Sequence, residues 1–240
     1  MITPRPANDR GATHLSWLNS RHTFSFGQYQ DPQHMGFGPL RVINDDIVAP
    51  AGGFGEHPHK DMEIMTWVLS GALKHGDSLG NLQTLTPGEL QVMTAGRGIY
   101  HTEMNASNTE PTHFLQIWIQ PRTPGVEPRY DQHAYPREGR TNQWQLLAAD
   151  DTETDRFGPQ TLPIAQAARL SVADLDPGQT LTYDFEEGRS GWLHLATGKA
   201  TADSHQLQAG DALAIQAEPG ITITAEEKSQ VLLFDLAENA

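Results

Sequence analysis

Cysteine is absent from the 240 residues. That excludes a disulfide framework, thiol catalysis and any thiolate metal site, so a metal held by this chain is held through nitrogen and oxygen. Positive charge is scarce as well: 16 Lys and Arg stand against 30 Asp and Glu, a formal charge of −14. With no cluster of Lys and Arg to neutralise phosphates, a nucleic-acid partner is not expected. The imbalance holds in both halves. Residues 1–120 carry 7 basic and 11 acidic groups, giving −4, and residues 121–240 carry 9 and 19, giving −10; such a surface serves solubility. Long apolar runs are also missing. No stretch reaches the roughly 18 consecutive apolar residues of a membrane span, and MITPRPANDRG at the start has no apolar core of signal-peptide type. The expected location is the cytoplasm, without membrane contact.

Helical periodicity is the remaining scarcity. Only LPIAQAARL, residues 162–170, could form a helix, with Pro163 near its start. What dominates instead is short apolar runs cut by glycine, proline and asparagine: LRVIND, EIMTWVLSG, LQVMTAG, HFLQIWIQP, GWLHLATG, DALAIQ, ITITA and VLLFDL. This punctuation reads as all-β. In HFLQIWIQ, Leu115, Ile117 and Ile119 share one side and Phe114, Gln116, Trp118 and Gln120 the other, so the first side is the more apolar. PRTPGVEPRYDQHAYPREGRTN, residues 121–142, reads as a connection between two modules, and ADDTETDRFGPQ as the acidic loop topping a later hairpin.

Two short segments carry the chemistry. GFGEHPHKDME contains His57 and His59, and AGRGIYHTEMN contains His101 and Glu103. A strand sends alternate side chains to one face, so each pair points one way, and two such strands facing each other converge three imidazoles and a carboxylate. That donor set suits a divalent transition metal such as Fe, Mn, Co, Ni or Zn. Gly52, Gly53 and Gly55 precede the first pair, Gly71 follows it, and Gly96 and Gly98 precede His101; glycines there permit the turns and bulges of a small barrel's rim. Glu63 shares the parity of His57 and His59 and would face inward on an unbroken strand, unless a kink follows Pro58.

Gly53 to Gly71, with its HxH, resembles a first cupin motif, and Gly98, His101 and Asn105 resemble the second, GxxHxxxN. RHTFSFGQYQDP, MGFGPLRVINDD, HPHKDMEI and QIWIQP are similar, more specifically, to the pirin family, in particular its bacterial quercetin 2,3-dioxygenase-like members, over residues 14–121. The resemblance implies an all-β bicupin: two β-barrel, jelly-roll cupin modules, with a metal-binding domain at 1–125, a connection at 126–145 and a degenerate, metal-free cupin at 146–240. It implies one metal, Fe(II) first and Zn, Mn, Co, Ni or Cu as alternatives, on His57, His59, His101 and Glu103, with Glu63 a candidate to support the ligands from behind or to join them. Gly96 stands where that motif commonly has proline, which affects the turn.

The activity so implied is metal-dependent dioxygenation, in which dioxygen cleaves the ring of a flavonol such as quercetin and Glu103 acts as base. Phe24, Phe26, Phe54, Met93 and Phe114 are candidates for the substrate pocket; core packing competes for each, and about two of the five are expected to touch substrate. His75 and His113 are candidates to orient ligands. Pirins also include redox-dependent regulators that bind protein partners, so an iron-sensing role without dedicated catalysis is the alternative, and the chain is expected to be a monomer or weak dimer. In the second half, LATG with AGDALAI echoes VLSG with PGELQVM, a register that lays Asp184 and Glu186 on His57 and His59. His194 and His205 stand isolated there.

Overall fold

The computed structural model describes residues 1–238. The chain forms two compact units, Gly11–Ala134 with Ile164–Gln166, and Met1–Arg10 with Tyr135–Pro163 and Ala167–Ala240. The first strand, β1 (Ile2–Arg5), belongs to the second unit, where it pairs antiparallel along Ala212–Ile215. The sequence reading placed residues 1–10 in the first domain. Backbone pairing over a long sequence separation moves them, which local composition does not reveal.

The first unit contains β2 (Gly11–His14), β3 (Leu18–His22), β4 (Leu40–Val48), β5 (Gly53–His59), β6 (Glu63–Ser70), β7 (Leu73–Asp77), β8 (Leu82–Leu85), β9 (Glu89–Thr94), β10 (Ile99–Asn105), β11 (Thr112–Ile119) and β12 (Arg129–Ala134). They make a seven-stranded sheet, β12-β9-β6-β11-β4-β3-β2, and a four-stranded sheet, β5-β10-β7-β8. The sheets pack face to face. Leu18, Val48, Val68 and Phe114 of the larger meet Leu73 and Leu85 of the smaller, and Ile64 and Met93 meet Ala95 and Ile99 in a second cluster. Each of the larger buried side chains, Leu, Ile, Val, Met or Phe, contributes about 1.5–3 kcal/mol of transfer free energy. Between the two clusters the larger sheet's inner face turns polar. His22, Asn44, Gln116, Thr66 and Gln91 sit directly opposite one another across five adjacent strands. Strand β12 lies within the segment read as a connection; its proline-rich flanks hid six residues that pair with β9.

The second unit repeats the plan with β13 (Gln145–Asp150), β14 (Leu162–Ile164), β15 (Ala168–Leu175), β16 (Thr180–Asp184), β17 (Arg189–Thr197), β18 (Lys199–Ala202), β19 (His205–Gln208), β20 (Ala212–Ile215), β21 (Gly220–Ala225) and β22 (Ser229–Ala237). Its sheets run β1-β20-β17-β22-β15-β13-β14 and β16-β21-β18-β19, again seven strands and four, so the chain is a bicupin. Residues 162–170 are not a helix: they enter β14 and β15, and β15 is clasped between β13 and β22. Tertiary pairing overrides the weak local preference for helix. Among the described residues the one α-helix is a single turn, Thr154–Phe157, in the acidic loop between β13 and β14.

Candidate metal centre

Alternation on β10 does what its sequence dictates. Ile99, His101, Glu103 and Asn105 are buried while Tyr100 faces solvent. On β5, His57 and His59 are half-buried and Pro58 between them is exposed. The two strands pair antiparallel with His101 opposite His57. Gly53 makes the approach possible, and Gly96 lets the turn before β10 pass close to Val126. A Cβ on Gly53, whose φ is +155°, would lie 2.4 Å from the Glu103 carbonyl oxygen, and one on Gly96, at φ +46°, would lie 2.1 Å from the Val126 carbonyl oxygen.

The three imidazoles meet, with ring centroids 4.4 Å apart for His57 and His101 and 4.8 Å for each of the other pairs. Their potential ligand atoms all lie within 4.8 Å of one another. His57 Nδ1 donates to the Gly55 carbonyl at 2.7 Å, which leaves Nε2 as a lone-pair donor, and that Nε2 sits 3.0 Å from His101 Nε2. Burial first, then the neighbouring imidazoles, push His59 down to about 4 and His101 down to about 3. Both rings are therefore neutral near pH 7. Neutral imidazoles aiming nitrogens at one point repel unless a proton or cation lies between them, so the residues fit a divalent ion.

Glu103 stands beside this cluster, its Oε2 3.9 Å from His101 Nε2. Gln116 Nε2 donates to both carboxylate oxygens at 2.8 Å, and the Thr66 hydroxyl lies 3.2 Å from Glu103 Oε1 and 3.2 Å from Gln116 Oε1. The carboxylate is thus fixed by the polar row of the opposite sheet. Its partner Gln116 is on the less apolar side of HFLQIWIQ, the side that turns out to face the site; two glutamines and a tryptophan on that side were the available signal. Trp118, also on that side, meets His59 edge-on at 4.8 Å.

Glu63 is buried but lies elsewhere. A turn with Asp61 at φ +49° separates β5 from β6, which breaks the parity argument, and Glu63 accepts from Thr94 Oγ1 at 2.8 Å on the opposite face of β6 from Thr66. His75 packs 5.4 Å from the His101 ring, stacks on Tyr130 at 4.6 Å and bonds Asp77 Oδ2 through Nε2 at 3.0 Å. His113 does not approach the site; its Nε2 pairs with Asp45 Oδ1 at 2.6 Å. Asn105 ties the barrel end, with Nδ2 donating to the carbonyls of Val48, Ala49 and Glu110.

A cavity of about 810 Å³ opens onto the cluster, within the range of small-molecule sites. His57, His59, Glu103, Gln116 and Trp118 line it on one side, Ser20, His22, Asn44 and Asp46 on another, and Leu18, Phe26, Tyr29 and Phe54 supply apolar wall. Of the five pocket candidates, Phe26 and Phe54 reach the cavity. Met93 and Phe114 are spent in the two hydrophobic clusters, and Phe24, 2% exposed, is not among the lining residues.

The corresponding strands of the second unit are filled differently. Ile221, Ile223 and Ala225 of β21 are buried in its core with Leu181 and Tyr183 of β16 packed against them. Asp184 is exposed, and Glu186 pairs with Arg156 and Arg169, so neither occupies a place like those of His57 and His59. His194 is buried on β17 and His205 half-buried on β19. No helix among the described residues is long and apolar enough to cross a membrane.

A family model described as Pirin matches residues 5–119, and one described as Quercetinase C-terminal cupin domain matches residues 151–236. The chain is 43% identical over 237 residues to a quercetin 2,3-dioxygenase of Escherichia coli K12, covering 98% of this chain and 99% of that one. It is 41% identical to a pirin-like protein of Caulobacter vibrioides, covering 99% and 100%. Among solved structures, the bacterial pirin YhhW from Escherichia coli in complex with nickel(II) superposes with a TM-score of 0.91 at 42% identity, covering 99% of each chain.

Proposed function

Because the chain belongs to the pirin family, a pirin domain followed by a quercetinase-type cupin domain, we propose that its first barrel is a mononuclear metal centre for dioxygenation of a flavonol such as quercetin. The observation that carries this reading is the cavity of about 810 Å³ onto which three clustered imidazoles, a fixed carboxylate and aromatic walls converge. His57, His59 and His101 would hold the ion, with Glu103 as the fourth ligand or the base beside it. Fe(II) is the ion we assign, and Ni(II) is a natural competitor given the nickel complex of YhhW. When bound, a redox-active ion supplies the one-electron chemistry that lets triplet dioxygen react with a closed-shell organic molecule.

The protein's own contribution follows from its side chains. Glu103 accepts the proton of the flavonol's 3-hydroxyl, and the Gln116 amide and Thr66 hydroxyl keep its oxygens aimed while that proton arrives. Phe26 and Trp118, T-shaped with centroids 5.5 Å apart, flank the space for planar rings. With Phe54 and Leu18 they make a wall that excludes water from the reacting face. Anaerobic reconstitution with Fe(II), followed by dioxygen uptake on adding quercetin, tests the proposal. Metal-dependent uptake matched by loss of flavonol is expected, with none in metal-free protein. Stoichiometric iron without any uptake would instead favour a sensor whose partners distinguish Fe(II) from Fe(III).

A further inference from the structure

Away from the histidines, the cavity wall built by β3 and β4 carries four polar residues in two facing pairs, Ser20 opposite Asp46 and His22 opposite Asn44. The His22 pair is satisfied. His22 Nδ1 donates to Asn44 Oδ1 at 2.8 Å and its Nε2 accepts from Thr13 Oγ1 at 2.8 Å. Asp46 is not. It lines the cavity, is 2% exposed, takes a hydrogen bond from Ser20, and leaves Oδ1 without a partner. No Lys or Arg lines the cavity to neutralise it. Burial, reinforced by the charges of Glu103 and Asp45, pushes its carboxyl up to about 7. A buried acceptor left open costs free energy, and such groups in folded proteins call for a functional reason.

We propose that Asp46 is a specificity-determining residue of the cavity: its carboxyl bonds a ring hydroxyl of a polyphenolic ligand, one other than the hydroxyl presented to the histidines. The inference rests on the flavonol reading and deepens it. A phenol suits this acid in either protonation state, since it can donate to a carboxylate oxygen or accept from a carboxyl proton. An aromatic carboxylate suits it badly, because Asp46 and Glu103 share one cavity and a third negative charge would be repelled by both. The apolar frame formed by Phe26, Tyr29 and Trp118 leaves Asp46, Asn44 and Ser20 as the groups that read ring substituents on this side. Asn44 Oδ1 is taken by His22, so what Asn44 can offer a ligand is its amide nitrogen, a donor. Asp46 is the acceptor.

The test compares binding of quercetin with 3-hydroxyflavone, which keeps the 3-hydroxyl and lacks the other ring hydroxyls. Binding is read by tryptophan quenching and calorimetry on the metal-loaded full chain under anaerobic conditions. Wild type should bind quercetin about tenfold more tightly. Asp46→Ala, and Asp46→Leu as an apolar near-isostere should the first fold poorly, should narrow that gap to within about threefold by weakening quercetin alone. A gap that survives both substitutions overturns the proposal while leaving the flavonol reading in place. Failure of wild type to bind either compound overturns both. Binding without oxygen uptake removes the oxygenase reading, and the gap still decides the role of Asp46.

Discussion

At the scale of single residues, the site is defined by what its side chains are denied. His59 and His101 are denied protons by burial and by each other, down to about 4 and about 3. The unfolded chain takes up protons on both as pH falls below about 6.5, and the folded chain refuses them. Stability linked to these groups is therefore full above about 6.5 and is lost as pH falls toward the folded values. Asp46 has the opposite sign: raised to about 7, it favours folding below the ordinary carboxylate range and opposes it as pH rises through 7. Removing it by Asp46→Leu should raise the melting temperature relative to wild type by several degrees more at pH 8 than at pH 4. Equal differences at both pH values in thermal scans would show that Asp46 ionises as freely in the fold as outside it. Gln116 invites a second substitution. Gln116→Leu removes both bonds to Glu103 without adding bulk, and should lower kcat for flavonol oxidation by about tenfold or more while metal content stays at wild-type level. Loss of metal with activity would instead make Gln116 a support of the ligand set.

At the scale of elements, the site depends on one strand pair. Strands β5 and β10 can bring His57 opposite His101 only because Gly53 has no side chain where the Glu103 carbonyl passes. Gly53→Val should separate them: we expect a melting temperature several degrees lower and metal affinity down by an order of magnitude or more, since φ near +155° excludes a branched residue as well. Retained affinity by metal titration would mean that the pair closes without this contact. The same pair shows how far the sequence could be read. Period-2 geometry is local, so alternation anticipates that His57 and His59 share one side of β5 and that His101 and Glu103 share one side of β10; that the four act together on a metal is the proposal above. Glu63 would have faced inward only on an unbroken strand; the left-handed Asp61, in the turn between β5 and β6, breaks it and resets parity. The one segment that could have formed a helix, 162–170, enters strands β14 and β15, and within the connection expected over 126–145 residues 129–134 form β12, their pairing set by partners distant in sequence. Gln116 and Trp118 were visible as the polar side of β11, but whether that side faced solvent or a site depends on which sheet lies across from it.

At the scale of the whole molecule, one plan has been used twice with different interiors. Both units pair seven strands with four; the first keeps a polar belt across its inner face and the second closes around aliphatic residues. The second unit concentrates charge around Asp235 instead. This carboxylate, 2% exposed, pairs with Arg189, lies 3.5 Å from Arg169 Nη1 and accepts from Tyr183 at 2.8 Å. Asp235→Ala leaves Arg189 without its buried counter-charge, while Arg169 keeps Glu153 and Glu186, and should cost about 3 kcal/mol in denaturant unfolding. Metal stoichiometry should be unchanged, because all four proposed ligands belong to the other unit. A fall in metal content in the still-folded variant would show that the second barrel takes part in holding the ion.

We propose above all that the imidazoles of the first barrel hold one transition metal. The most direct test is metal content per chain after reconstitution with Fe(II), measured for wild type, His101→Ala and His113→Ala, the last removing a histidine that pairs with Asp45 away from the cluster. We predict one metal per chain in wild type and His113→Ala, and none retained in a folded His101→Ala. Undiminished stoichiometry and affinity in His101→Ala would contradict the account.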